Sequence, residues 1–151
     1  MKLQIGDTIP HFRAKDTNGN NFDSKEVIGI KPTVIYFYPK DNTPGCTAQA
    51  CDFRDQYGDF KKFGAEIIGV SGDSTESHQK FTKQYQLPFI LLSDSDKEIR
   101  KLFGVPTNIF GLLPGRVTYV ADKNGKIVLV YNSISAKNHQ FEALEALKKL
   151  E

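Results

Sequence analysis

Three short apolar runs, TVIYFY (33–38), AEIIGVSG (65–72) and FILLSD (89–94), alternate with segments of helical spacing. TVIYFY is rich in β-branched and aromatic residues and is bounded by Pro32 and Pro39. Such a run suits a strand buried on both faces, and strands of that kind need helices to cover them. From residue 46 to about 63, Phe53, Tyr57, Phe60 and Phe63 recur at three and four, which predicts a helix ended by Gly64. Asp73 or Ser74 can cap a second helix through Tyr85, and SDKEIRKLFG carries a third that closes at Gly104. RVTYVADKNGKIVLVY reads as a hairpin around Asn124-Gly125, and HFRAKDTNGNNF as an earlier one. A last amphipathic helix runs from about Asn138, with Phe141, Leu144, Leu147 and Leu150 expected on one face.

Strands alternating with helices, then a hairpin, then a helix, predict an α/β fold with a mixed central sheet flanked by helices and preceded by an N-terminal hairpin. That order is compatible with a thioredoxin-like fold. The 151 residues fit a single domain, 1–151, large enough to bury a core without disulfide staples. A formal net charge of +2, with lysines spread along the chain, gives no argument for nucleic acid. No apolar stretch approaches the ~18 residues of a membrane span. MKLQIGDTIP lacks the apolar run of a secretory signal, so the simplest reading is cytoplasmic; a trimmed form of a protein imported into an organelle such as the chloroplast reads the same way.

The only two cysteines, Cys46 and Cys51, fall in NTPGCTAQAC, in the loop and helix start that follow TVIYFY. In open α/β sheets, chemistry tends to sit beyond the carboxyl end of a central strand. Unpaired N–H groups and the positive end of the helix dipole at a helix start favour a thiolate over a thiol. Taken alone, a helix-start cysteine is more readily a small buried hydrophobe. Five helical residues turn ~500° and rise ~7.5 Å, which puts the two Cα atoms roughly 8.5 Å apart. A disulfide needs about 4.4–6.8 Å. The pair therefore cannot bond while the helix is intact, and if the thiols react with each other the first turns must unwind. Metal binding would need help from His11, His78 or His139, none of which has ligand spacing to another. The C-x-x-C of disulfide exchange is absent.

Pro39, Thr43 and Cys46 form P-x-x-x-T-x-x-C, which resembles the active-site motif of the peroxiredoxins. YPKDNTPGCTAQACDFRD resembles the bacterioferritin-comigratory-protein/PrxQ subfamily, in which a second cysteine follows five residues after the first. The resemblance extends over IGDTIPHF, GVSGDSTESHQKF, FGLLPGRVTYVADKNGKI and the C-terminal helix; GVPTNIFGLLPGR is similar to the branch found in photosynthetic organisms.

The resemblance implies a thiol peroxidase acting on hydrogen peroxide and organic hydroperoxides without cofactor. It makes Cys46 the peroxidatic cysteine, Cys51 the resolving one, and the two an intramolecular disulfide recycled by thioredoxin. It makes Thr43 the hydroxyl that contacts thiolate and peroxide, Pro39 the shield of the site, and Arg116 its cation. Pairing within one chain implies a monomer. Gln49 stands where many peroxiredoxins outside this branch carry Glu, a place from which it could orient Arg116. Each residue has a plainer alternative: Thr43 as a helix N-cap, Pro39 as a strand terminator, Arg116 as a strand-edge cation, Gln49 as a solvated helix residue. Phe110, Leu112 and Leu113 could line a site for bulky substrates or belong to the core. Two competing functions remain from the residues: a thiol-disulfide oxidoreductase on the same fold, and a copper carrier using His139.

Overall fold

A computed structural model of the chain describes residues 2–108 and 113–150, with the side chains of residues 108, 113 and 114 left aside. In chain order, β1 (Arg13–Asp16) and β2 (Asn21–Asp23) form the first hairpin. Strand β3 (Thr33–Phe37) leads to helices α1 (Pro44–Asp55) and α2 (Tyr57–Lys62). Then come β4 (Glu66–Ser71), α3 (Thr75–Tyr85), β5 (Ile90–Ser93) and α4 (Glu98–Phe103). Two short strands, β6 (Thr107–Asn108) and β7 (Leu113–Pro114), precede the hairpin β8 (Val117–Ala121) and β9 (Ile127–Asn132), and α5 (His139–Lys148) follows.

The main sheet has seven strands in the order β2-β1-β5-β4-β3-β8-β9. Its centre, β5-β4-β3, is parallel, while β1 and β8 join antiparallel at either side. All five residues of β3 are buried. The period of two splits them between two cores. Val34 and Tyr36, with Tyr38 beyond the strand end, face Cys46, Phe53, Phe60 and α5, whereas Ile35 and Phe37 face α4 and the N-terminal segment. The mixed, helix-flanked sheet with its N-terminal hairpin is the thioredoxin-like arrangement expected from the order of elements.

Two expectations are corrected. The helix from 46 to 63 is two helices, broken where Gln56 leaves helical geometry at φ −107, ψ 12. Gly58 weakens helix propensity just past the break, and the new direction packs Phe60 against Phe53 at 5.8 Å and brings the Tyr57 hydroxyl to Glu66 at 3.0 Å. On α5, Phe141 and Leu150 are 53% and 40% exposed, while His139, Ala143, Leu144 and Leu147 are buried. A stripe stepping only by three drifts ~60° per step around a helix, so its two ends leave the contact.

Tyr36 shows how tightly the sheet meets α1. Its ring stacks on Phe53 at 4.7 Å. Across the strand pair, a Cβ at Gly69 would fall 2.9 Å from the Tyr36 ring and 2.7 Å from Leu91. Only glycine leaves room for the tyrosine there.

Candidate active site

The segment from Tyr38 to Thr43 carries the chain from β3 into α1, and polar contacts pin it. Asp41 is buried and accepts from the Tyr38 hydroxyl at 2.6 Å and from Ser77 Oγ at 2.9 Å. His78 Nδ1 lies 2.7 Å from the same carboxylate, and its Nε2 donates to the Leu92 carbonyl at 3.0 Å. The Asp41 N–H donates to Asp73 at 2.7 Å. With these anchors Asn42 takes a left-handed conformation, φ 61, of the kind asparagine tolerates better than most residues.

Helix α1 then starts on a residue that needs no donor partner. Pro44 occupies the first helical position, where its missing N–H costs nothing. Thr43 is the N-cap, but its hydroxyl makes no cap bond; it donates to the Lys40 carbonyl at 2.9 Å. The threonine oxygen is thus left as an acceptor. The first intrahelical bond of the turn runs from Thr47 N to Thr43 O at 2.8 Å. Ahead of it, the N–H groups of Gly45 and Cys46 have no intrahelical acceptor and mark the positive end of the helix. Cys46 sits in this turn, 1% exposed, and Pro39 lies half-buried at the mouth of the loop.

Arg116 comes from the other side, immediately before β8, and is 7% exposed. Its Nη1 donates to Gln49 Oε1 at 2.6 Å and its Nε to the Ile134 carbonyl at 3.0 Å. A Cβ on Gly45 would lie 3.1 Å from Nη2, so the guanidinium rests on the bare face of the first turn. Gly45, Cys46 and Gln49 share one face of α1 because they are spaced by three and four. The fold therefore brings Cys46, Thr43, Gln49 and Arg116 to one helix start. Gln49 is fully buried, not the solvated helix residue weighed from sequence, and its Nε2 has no partner among the described residues. Burial pushes the Tyr36 phenol well above its ordinary range, and a charge on Cys46 adds to that shift.

Cys51 lies later in the same unbroken helix, half-buried. Burial pushes its thiol up, with Arg54 partly opposing. Both cysteines are free. Phe110 and Leu112 lie outside the described residues, as does the Leu113 side chain. His139, weighed as a copper ligand, is buried with both ring nitrogens engaged: Nδ1 lies 2.8 Å from Thr118 Oγ1, and Nε2 lies 3.0 Å from the carbonyls of Ser133 and Ser135. The Asp41–His78 pair and Thr118 leave no signal in the sequence: 37 positions separate the first two, and Thr118 is one polar residue in an apolar strand.

Residues 5–130 match the AhpC/TSA family. The chain is 53% identical over 150 residues to the chloroplastic peroxiredoxin Q of Sedum lineare, covering 99% of this chain and 80% of that protein. Among solved structures it is similar to peroxidoxin BcpB from Mycobacterium tuberculosis, with TM-score 0.91 and 32% identity over 99% of both chains. It is also similar to the Xanthomonas campestris bacterioferritin comigratory protein, described for its alkyl peroxide reduction activity, with TM-score 0.84 and 32% identity over 92% of this chain and 91% of that one.

Proposed function

Because this chain belongs to the AhpC/TSA family and is a peroxiredoxin, we propose that Cys46 is its peroxidatic cysteine and Cys51 its resolving cysteine. The observation that carries this assignment is the seat of Cys46 in the first turn of α1, with the Arg116 guanidinium laid against the adjoining Gly45.

The Cys46 thiolate attacks one oxygen of the peroxide. A sulfur–oxygen bond forms, the O–O bond breaks, and the other oxygen leaves as an alcohol or water after taking a proton. Arg116 and the free N–H groups of the turn stabilise the charge on the leaving oxygen, the role in which preorganised donors contribute most. Thr43 Oγ1 accepts a hydrogen bond from the peroxide O–H, and Pro39 keeps water from the sulfur. The sulfenic acid on Cys46 then condenses with the Cys51 thiol, releasing water and forming an intramolecular disulfide. Helix geometry keeps the two Cα atoms too far apart for that bond, so the start of α1 unwinds before it forms. A dithiol protein of the thioredoxin type returns two electrons and two protons by exchange.

Organic hydroperoxides are substrates beside hydrogen peroxide, a reading supported by the alkyl peroxide activity described for the Xanthomonas protein. Resolution within one chain lets a monomer complete the cycle. The work is done in a compartment that keeps a dithiol pool reduced, which the cytoplasm and the chloroplast of the Sedum relative both supply.

One experiment tests the cysteine roles together. Reduced protein receives one equivalent of hydrogen peroxide, and thiols and intact mass are followed beside Cys51→Ser. Wild type should lose both thiols and two mass units, about the mass of two hydrogens, while the variant gains a single oxygen on Cys46. Oxidation no faster than that of a free thiol in both proteins would overturn the assignment.

A further inference from the structure

The Nε end of Arg116 is held by a backbone carbonyl, that of Ile134, at 3.0 Å. This carbonyl belongs to the stretch between β9 and α5, and the Ile134 residue is 75% exposed. A loop residue so exposed has no packing of its own to fix the direction of its carbonyl. The fixing comes from His139. Its Nε2 lies 3.0 Å from Ser133 O and 3.0 Å from Ser135 O. Carbonyl oxygens only accept, so Nε2 carries the proton and gathers both carbonyls. With the carbonyls on either side drawn to the imidazole, the one between them is presented to Arg116.

The imidazole is itself braced. Thr118 Oγ1, fully buried, lies 2.8 Å from Nδ1 and donates to it when the ring is neutral. Tyr131 packs edge-on to the ring, with centroids 4.8 Å apart. Burial holds the His139 pKa below its ordinary value, and the Arg116 charge pushes the same way. Thr118 stands in β8, two residues after Arg116, and the Ser133 N–H donates to the Arg116 carbonyl at 3.2 Å. The contacts thus close a ring of supports, from Thr118 to His139, to the Ser133 and Ser135 carbonyls, to Ile134, and back to Arg116.

We propose that His139 is the positioning residue for Arg116: by holding the Ser133 and Ser135 carbonyls it fixes the Ile134 carbonyl that orients the guanidinium against the first turn of α1. This rests on the reading that Arg116 acts on the peroxide. His139 is neither a metal ligand nor a passive core residue in this assignment, since each ring nitrogen carries a bond that the arginine's orientation depends on.

The test is a double-mutant cycle on the full chain, read as the second-order rate of Cys46 oxidation by hydrogen peroxide. Arg116→Lys alone should slow it at least about tenfold, because an ammonium cannot reproduce the forked contacts. His139→Leu should slow it about tenfold in wild type and less than about twofold beside Arg116→Lys, since coupled residues do not add. His139→Gln keeps a donor near the Nε2 position and should stay within about threefold of wild type. A folded His139→Leu with the wild-type rate overturns the proposal. So does a slowing of equal size in both backgrounds, which marks general structural damage, or a folded His139→Gln as slow as His139→Leu. If His139→Leu does not fold, Thr118→Val takes its place in the cycle: slowing confined to the Arg116 background supports the proposal, and equal slowing or none overturns it. An Arg116→Lys protein with the wild-type rate would instead remove the underlying role of Arg116.

Discussion

Arg116 Nη1 and Gln49 Oε1 are joined at 2.6 Å, tying the entrance of β8 to the face of α1 that carries Cys46. The amide gives the arginine a neutral acceptor. Replacing Gln49 by Leu strands a buried donor group and should cost about 1–3 kcal/mol of stability, measured by urea unfolding. It should also slow the reaction of Cys46 with peroxide, because a contact that aims the guanidinium is gone. Gln49→Glu keeps an acceptor in place and should retain the faster rate.

Gly45 offers a test in which stability and activity move apart. Alanine at a helical glycine favours the helix by roughly 0.5–1 kcal/mol. The new methyl would lie 3.1 Å from Arg116 Nη2, inside comfortable contact, and the flexible end of the arginine would have to give way. Gly45→Ala should therefore hold α1 more firmly yet react more slowly with peroxide. Stopped-flow oxidation beside thermal unfolding checks both halves, and a variant that gains stability without losing rate contradicts the contact.

Asp41 anchors the loop that delivers the cysteine. Its removal leaves His78, Tyr38 and Ser77 facing an empty acceptor position in a buried setting. Stranding a buried hydrogen-bonded group costs about 1–3 kcal/mol, and breaking a buried ion pair on one side about 3–5 kcal/mol. Asp41→Ala should show a loss within that range in denaturant unfolding, together with a slower Cys46, because the loop between β3 and α1 loses its tether. His78→Leu should weaken the same tether from the opposite side.

Much of this was legible in the sequence where a local rule carried it. TVIYFY gave β3, the Asn-Gly pairs gave both hairpins, and Pro44 before Cys46 marked the helix start. On α5, an apolar residue every third position suggests a stripe, but the helix drifts away from it, and the buried face is formed by His139, Ala143, Leu144 and Leu147. The resemblance named Arg116 as the site's cation but could not give its setting. That setting consists of a backbone carbonyl at Ile134 and the bare face of Gly45, and neither leaves a side-chain pattern to read. The Asp41–His78 contact joins two segments that only the sheet order brings together.

The resolving thiol sets a pH dependence of its own. Burial raises the Cys51 pKa in the closed helix, and unwinding returns it to an ordinary thiol near about 8.5. A group whose pKa is raised in the closed form binds its proton more tightly there. Its contribution to closure is complete below the ordinary thiol pKa and is lost as pH rises through the raised value. Alkaline conditions should therefore favour unwinding of α1 and also ionise the freed Cys51. Disulfide formation after a single peroxide pulse should accelerate from neutral pH upward through the thiol range, while the initial oxidation of Cys46 is followed separately in Cys51→Ser. Stopped-flow measurement of both steps across that range is decisive: a resolution rate flat with pH means that neither the opening of α1 nor the ionisation of Cys51 limits the step.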